Sequence, residues 1–264
     1  MRYSIMNYRY ALTVLGLFTC SFFLIQGCAS EKDYETPRDA LRARNIPYTV
    51  MEFMTAASEG KNDVLELFLE GGMDINTLDD GTALTSAVLV NQKKTVDFLL
   101  QRGANPNLPS YMGSPLYIAS RSGYYDIAVK LIQAGAEAEY VKNDGSTVLS
   151  EAVRNDFLEV AELLINSGAD PEKADPFFKR TPVFLAAANG NAGMIEMLCE
   201  RDADPREPDI NGVTSLDKAV LSGNNEAILL LVEKGALLTE FLAYFRKAIG
   251  NPPPPDMEKH PGKN

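Results

Sequence analysis

The sequence predicts an all-α solenoid of about six stacked helix–turn–helix units, and three observations carry that prediction. A short turn phrase recurs six times: Gly72-Met73-Asp74-Ile75-Asn76, Gly103-Ala104-Asn105-Pro106-Asn107, Gly135-Ala136-Glu137-Ala138-Glu139, Gly168-Ala169-Asp170-Pro171-Glu172, Asp202-Ala203-Asp204-Pro205-Arg206 and Gly235-Ala236-Leu237-Leu238-Thr239. A second landmark (Met51, Thr82, Ser114, Thr147, Thr181, Thr214) stands 21 residues before each phrase, while successive landmarks lie 31, 32, 33, 34 and 33 apart. Between the two, apolar residues fall at helical spacing, as in Val64/Leu67/Phe68 and Val160/Leu163/Leu164. A rigid unit repeating every ~33 residues, with connectors of drifting length, is the signature of a stacked array whose units bury their apolar faces only against one another.

Residues 1–27 read as a signal peptide outside the fold. Arg2 and Arg9 make a positive start, and Ala11 to Ile25 form an apolar run shorter than the roughly 20 residues a spanning helix needs. The run closes on Ile25-Gln26-Gly27-Cys28, which resembles a bacterial lipoprotein signal, although Gln26 is atypical of it. The resemblance implies cleavage before Cys28 and a lipid thioether on it. Ala29, in place of an aspartate, then implies delivery to the outer membrane, facing the periplasm. An uncleaved signal anchor is the competing reading. Residues 28–46, rich in charge at Glu31, Lys32, Asp33 and Glu35, are expected to be a polar tether, with room for a short helix at Pro37–Arg44.

The array is expected over residues 47–240. Each first helix opens at the Thr-like landmark, whose hydroxyl can accept from an orphan N–H, often with proline next, as in Ser114-Pro115 and Thr181-Pro182. Alanines (Ala56-Ala57, Ala87, Ala119, Ala152, Ala186-Ala187, Ala219) then let neighbouring helices approach. A turn follows at Gly60, Gly123, Gly190 and Gly223, with Asn91 and Asp156 as the substitutes that tolerate the same backbone. The second helix ends at the first residue of the turn phrase, where a left-handed residue closes a helix at little cost. Phe241, Leu242, Tyr244, Phe245 and Ile249 share one helical face and are expected to form a capping helix at 241–250. Residues 251–264, opening on Asn251 and Pro252 to Pro255, read as an extended proline-rich tail.

These motifs resemble the ankyrin repeat, whose consensus contains Thr-Pro-Leu-His-x-Ala and a Gly-Ala-Asp turn. The resemblance covers residues 47 to 240 in register. One departure is consistent: the consensus histidine is replaced by Met54, Thr85, Tyr117, Ser150, Phe184 and Asp217, which implies that the usual Thr–His hydrogen bonding is absent.

Little here supports catalysis. His260, the only histidine, falls in the tail, so the array holds no Ser-His-Asp or Cys-His arrangement, zinc cluster or glycine-rich phosphate loop. No enzyme, cofactor, metal site or small-molecule substrate is expected. Removing Arg2 and Arg9 leaves 23 basic groups against 36 acidic ones, or −13, a charge that disfavours nucleic acid. Of three cysteines only Cys199 would stay free, at a second-helix position its sister copies fill with aliphatic residues. Acidic pairs such as Asp79-Asp80 read as solvated connector residues.

What varies between copies is the connector tip and the end of the first helix, the surface on which ankyrin-like arrays grip partners. The candidate binding residues are Tyr111, Phe177 and Phe178 at the tips and Arg121 and Arg154 on the first helices, aromatic and arginine groups of the kind that concentrate binding energy. Phe177 and Phe178 could equally fold back over the long fourth connector. The expectation is a membrane-anchored protein that binds a partner protein. The alternative is a periplasmic accessory, or an immunity or inhibitor protein, for an envelope enzyme or toxin.

Overall fold

The structure, a computed structural model, describes residues 36–236, and those residues hold thirteen helices and no strand. The signal segment 1–27, Cys28, the expected capping helix at 241–250 and the tail at 251–264 lie outside the described residues. No described helix is long and apolar enough to cross a membrane.

After α1 (Pro37–Ala43) the helices come in six pairs. The first helices are α2 (Val50–Glu59), α4 (Ala83–Leu89), α6 (Pro115–Arg121), α8 (Val148–Arg154), α10 (Pro182–Asn189) and α12 (Ser215–Ser222). The second helices are α3 (Asn62–Glu70), α5 (Lys93–Gln101), α7 (Tyr125–Gln133), α9 (Leu158–Asn166), α11 (Ala192–Glu200) and α13 (Asn225–Glu233). First helices stack on first helices and second on second, in two rows, and the first helices pack on one another more extensively. The alanines at Ala56, Ala87, Ala119, Ala152, Ala186 and Ala219 are the reason: all are buried, and their small side chains let the inner row close up. Between the rows lies a continuous core. Phe68, Leu99, Leu131, Leu164, Leu198 and Leu231 occupy one equivalent second-helix slot and are all fully buried. Cys199 packs half-buried against that core, and burial pushes its thiol pKa up, as befits a small apolar side chain.

Every first helix is capped by a hydroxyl, at Thr49, Thr82, Ser114, Thr147, Thr181 and Thr214, which accept from the backbone N–H three residues on at 2.9–3.3 Å. In the first unit the sequence landmark was misplaced. Met51 is no cap; it sits inside α2 and is exposed, because the hydroxyl is Thr49 and α2 begins earlier than its sisters relative to their shared alanine. Counted from Thr49, the first spacing becomes 33 and the irregularity at the start of the array disappears. Within the segment expected to be a tether, the short helix allowed for at Pro37–Arg44 is present, and the chain is folded from Thr36 onward. Pro37–Ala43 forms α1, capped by Thr36, with Ala40 and Leu41 buried against α3 and Arg38 donating to the Gly71 carbonyl at 2.9 Å.

The missing histidine is replaced in kind. Thr85, Ser150 and Asp217 each accept from the backbone N–H of their own cap residue, at 2.7, 2.9 and 2.9 Å, closing reciprocal capping boxes. Tyr117 reaches further, its hydroxyl lying 2.7 Å from Ser146 Oγ in the next connector. The Thr–His bond itself is absent, as expected, but other hydrogen bonds take its place at four of the six copies: three close within their own turn and one, from Tyr117, reaches the next.

The turn residues adopt left-handed conformations throughout, from Gly60 (φ 74°) to Asp202 (φ 67°). Gly123 shows a second requirement besides φ. A Cβ there would lie 2.5 Å from the ring of Phe157, the residue that opens the second helix of the next unit. The turn must leave room for its neighbour's side chain as well as reverse the chain.

Candidate partner-binding surface

The connectors fold into fingers, each closed by its own polar groups. Ser110 N–H donates to the Gly113 carbonyl at 2.9 Å, Lys142 N–H to Ser146 at 2.9 Å, Asp175 N–H to Arg180 at 3.1 Å and Asp209 N–H to Val213 at 2.8 Å. Fingers are also joined to each other. Tyr111 N–H donates to the Asp80 carbonyl at 3.4 Å, and Ile210 N–H to the Phe178 carbonyl at 2.8 Å. Local turn chemistry thus holds the variable tips on a fixed frame, with ordering that a partner need not supply.

Tyr111 is exposed at the tip of its finger. Its neighbours are Met51 and Met54 of α2 and Leu89 and Val90 at the end of α4, with which it lines an open groove of about 320 Å³. Arg121 and Arg154 share one partner. Their Nε atoms lie 3.7 and 3.4 Å from the two carboxylate oxygens of Glu151, which is itself buried between them. Both arginines are exposed, so the pairs stabilise little, about 1 kcal/mol at most; what they fix is the direction of two guanidinium groups.

Phe177 and Phe178 occupy the fourth finger, with 54% and 51% of their surface exposed. Asp175 builds this tip, accepting from the N–H groups of Phe177 at 3.1 Å, Phe178 at 2.6 Å and Arg180 at 3.1 Å. The ring of Phe177 leans toward the preceding finger, where a Cβ on Gly145 would lie 3.0 Å from it and 2.6 Å from Pro176. Phe178 stacks on the Arg180 guanidinium, 4.6 Å from its centroid, and Arg180 also lies 5.7 Å from the ring centre of Phe184. Each ring is thus propped on one side and open on the other.

Sequence reasoning missed Glu151, Arg180 and the Met51–Val90 groove. Glu151 had a signal: it is the one carboxylate at a first-helix position held by Ser86, Ile118, Leu185 and Lys218 in sister copies, with Arg154 three residues on and Arg121 at the matching place in the preceding unit. The groove is spread over two units and two connectors, so no single repeat contains it. Among the described residues no group of three or more His, Cys, Asp or Glu side chains is placed to hold a metal ion.

Comparison with known proteins points the same way. The family model described as "Ankyrin repeats (3 copies)" matches residues 53–144, 111–175 and 149–240. The chain is 29% identical over 195 residues to human transient receptor potential cation channel subfamily A member 1, covering 69% of this chain and 17% of that protein. It is 33% identical over 141 residues to human neurogenic locus notch homolog protein 1, covering 53% and 6%. It is also 31% identical over 145 residues to glycerophosphocholine phosphodiesterase gde1 of Schizosaccharomyces pombe, covering 54% and 13%. The match spans under a fifth of each of these relatives and falls on the repeats that this chain shares with all of them. With six hydroxyl-capped helix pairs in register and a family match running from residue 53 to 240, the chain belongs to the ankyrin-repeat family.

Proposed function

We propose that this protein binds a partner protein through its finger tips and first helices, and that a lipid on Cys28 holds it at a bacterial envelope membrane, the outer one facing the periplasm. The observation that carries the binding reading is the set of half-open aromatic rings on bonded fingers. Tyr111, Phe177 and Phe178 spend apolar surface on water while their backbones are fixed, and a folded protein retains such surface where it serves contact. Arg121 and Arg154, aimed by Glu151, add cationic groups to the same row of first helices. Ankyrin arrays act as protein-interaction modules, and no step of catalysis, cofactor or small-molecule substrate is assigned to this one. The anchor reading rests on the motif Ile25-Gln26-Gly27-Cys28.

Replacing Phe177 and Phe178 with serine is expected to weaken partner binding by about 1–3 kcal/mol, the range for truncated aromatic anchors, while the melting temperature barely moves. The measurement is capture of crosslinked envelope proteins by wild-type and variant chains, followed by titration of the captured partner. A variant that loses several degrees of melting temperature and binds as before would show that the rings cover core. For the anchor, Cys28→Ser is expected to release the protein from membranes or leave an unprocessed precursor. Labelled palmitate still incorporated in that variant would remove the lipid assignment.

A further inference from the structure

We infer that the groove between α2 and α4 seats a segment of a partner protein that presents an aliphatic or aromatic side chain beside a lysine or arginine. This rests on the protein-binding reading above and narrows it to one end of the array and one ligand chemistry. The apolar half of the argument is local. Met51 comes from the earlier start of α2, which no other first helix shares; Met54 fills the position that the sister copies give to Thr85, Tyr117, Ser150, Phe184 and Asp217; and Leu89-Val90 is the only first-helix ending with two apolar residues. Its sisters end in Ser58-Glu59, Arg121-Ser122, Arg154-Asn155, Ala188-Asn189 and Leu221-Ser222. Met51, Val90 and Tyr111 are 69%, 51% and 73% exposed. Methionine suits such a floor because its flexible, polarisable chain adapts to the side chain it receives.

The polar half is set by hydrogen bonding. Every serine and threonine that lines the groove already spends its proton on a backbone carbonyl: Thr55 on Met51 at 2.8 Å, Ser58 on Thr55 at 2.9 Å, Thr85 on Thr82 at 2.8 Å, Ser86 on Thr82 at 3.1 Å and Ser110 on Gly113 at 3.2 Å. Thr85 also accepts from Thr82 N–H at 2.7 Å and Ser110 from Met112 N–H at 3.1 Å, so the lone pairs turned to the groove are chiefly those of Thr55, Ser58 and Ser86. The only charged residues in its lining are Asp79 and Asp80, and neither forms an ion pair with any described residue. Apart from the Tyr111 hydroxyl, the groove offers side-chain acceptors and no side-chain donors, so its complement is a donor-rich cation next to an apolar group. The net charge of −11 disfavours a second copy of this chain as the occupant.

The test pans a random dodecapeptide library against the immobilised full chain. Enriched peptides are expected to carry lysine or arginine adjacent to an aliphatic or aromatic residue, and to lose tenfold or more in affinity to Asp79→Asn/Asp80→Asn. Asparagine preserves shape and tolerates the left-handed backbone of Asp80 (φ 44°), so folding is kept. Phe177→Ser/Phe178→Ser should leave those affinities within twofold. Peptides that lack basic residues, no enrichment at all, or binding indifferent to the Asp79/Asp80 change would overturn the assignment. Dependence on Phe177 and Phe178 instead would overturn it while leaving the protein-binding reading in place. A dimer that the asparagine variant dissociates, or a tenfold gain in peptide affinity on deleting residues 251–264, would give the groove to a second copy or to the chain's own tail and equally overturn it.

Discussion

The hydroxyl and backbone N–H of Ser146 both donate to Asp144, and Lys142 stands 3.2 Å from the same carboxylate. The Ser146 proton being spent there, Tyr117 must donate its own to Ser146, which ties the fourth unit's turn to the third unit's first helix. These bonds, the Ser146 hydroxyl first, hold the Asp144 carboxyl at a pKa of about 2. The folded value lies below the unfolded one, so the stabilisation is full above the unfolded pKa and is lost as pH falls through the folded one. Glu139 acts in the same direction: burial alone would raise its pKa, but Lys173 and the Asp170 N–H outweigh that and lower it. Acid should therefore weaken the array progressively from about pH 4 toward pH 2. In Asp144→Asn part of that slope should vanish, as read from melting temperature against pH and from the carboxyl resonance of Asp144 by NMR. A midpoint for Asp144 near 4 would show that the Ser146 bonds do not form in solution.

At the scale of the element, the turn phrase is a connector between units as well as the end of a helix. Its fifth residue reaches to the third residue of the next phrase. Asn76 accepts from Asn105 N–H at 2.8 Å, Asn107 from Glu137 at 2.9 Å, Glu139 from Asp170 at 2.6 Å and Glu172 from Asp204 at 3.1 Å. Four rungs run along the stack, and Arg206 ends the ladder by turning back to Asp204. Asn107 also donates to the Gly135 carbonyl at 3.0 Å. Asn107→Ala should cost about 1–2 kcal/mol, because each lost bond is worth about 1 kcal/mol net and the rung is exposed enough for water to replace part of it. Chemical denaturation measures the cost, and hydrogen exchange should speed at the Glu137 amide first. Unchanged exchange there would mean that the rung is not formed.

Across the whole molecule, stability is a sum over neighbours, so the place of a defect matters as much as its size. Leu164 is fully buried in a central unit. Leu164→Ala should cost about 2–5 kcal/mol and, by weakening the middle of the array, uncouple its two halves and broaden the unfolding transition. A transition that stays sharp, with fluorescence and circular dichroism coinciding, would mean that interfaces couple the units more strongly than any one unit's core. What the sequence alone determined is everything carried by a short-range rule applied six times: the helix pairs, their hydroxyl caps, the left-handed turns and the buried slot of Leu164 are all legible from spacing, because each depends on residues within one unit. Where that rule was applied to an atypical copy it slipped by two residues, since Met51 holds the right offset while Thr49 holds the right chemistry. What only the tertiary structure decided are relations between units. The rungs of the ladder join residues 29 to 32 apart, Tyr117 finds Ser146, Glu151 gathers Arg121 and Arg154, and Tyr111 shares a groove with Met51 and Val90. The reason is physical: periodicity says which face of a helix is buried, but which side chains meet across a gap depends on the rotation and offset of one unit on the next, and packing of the alanine-lined inner row sets these.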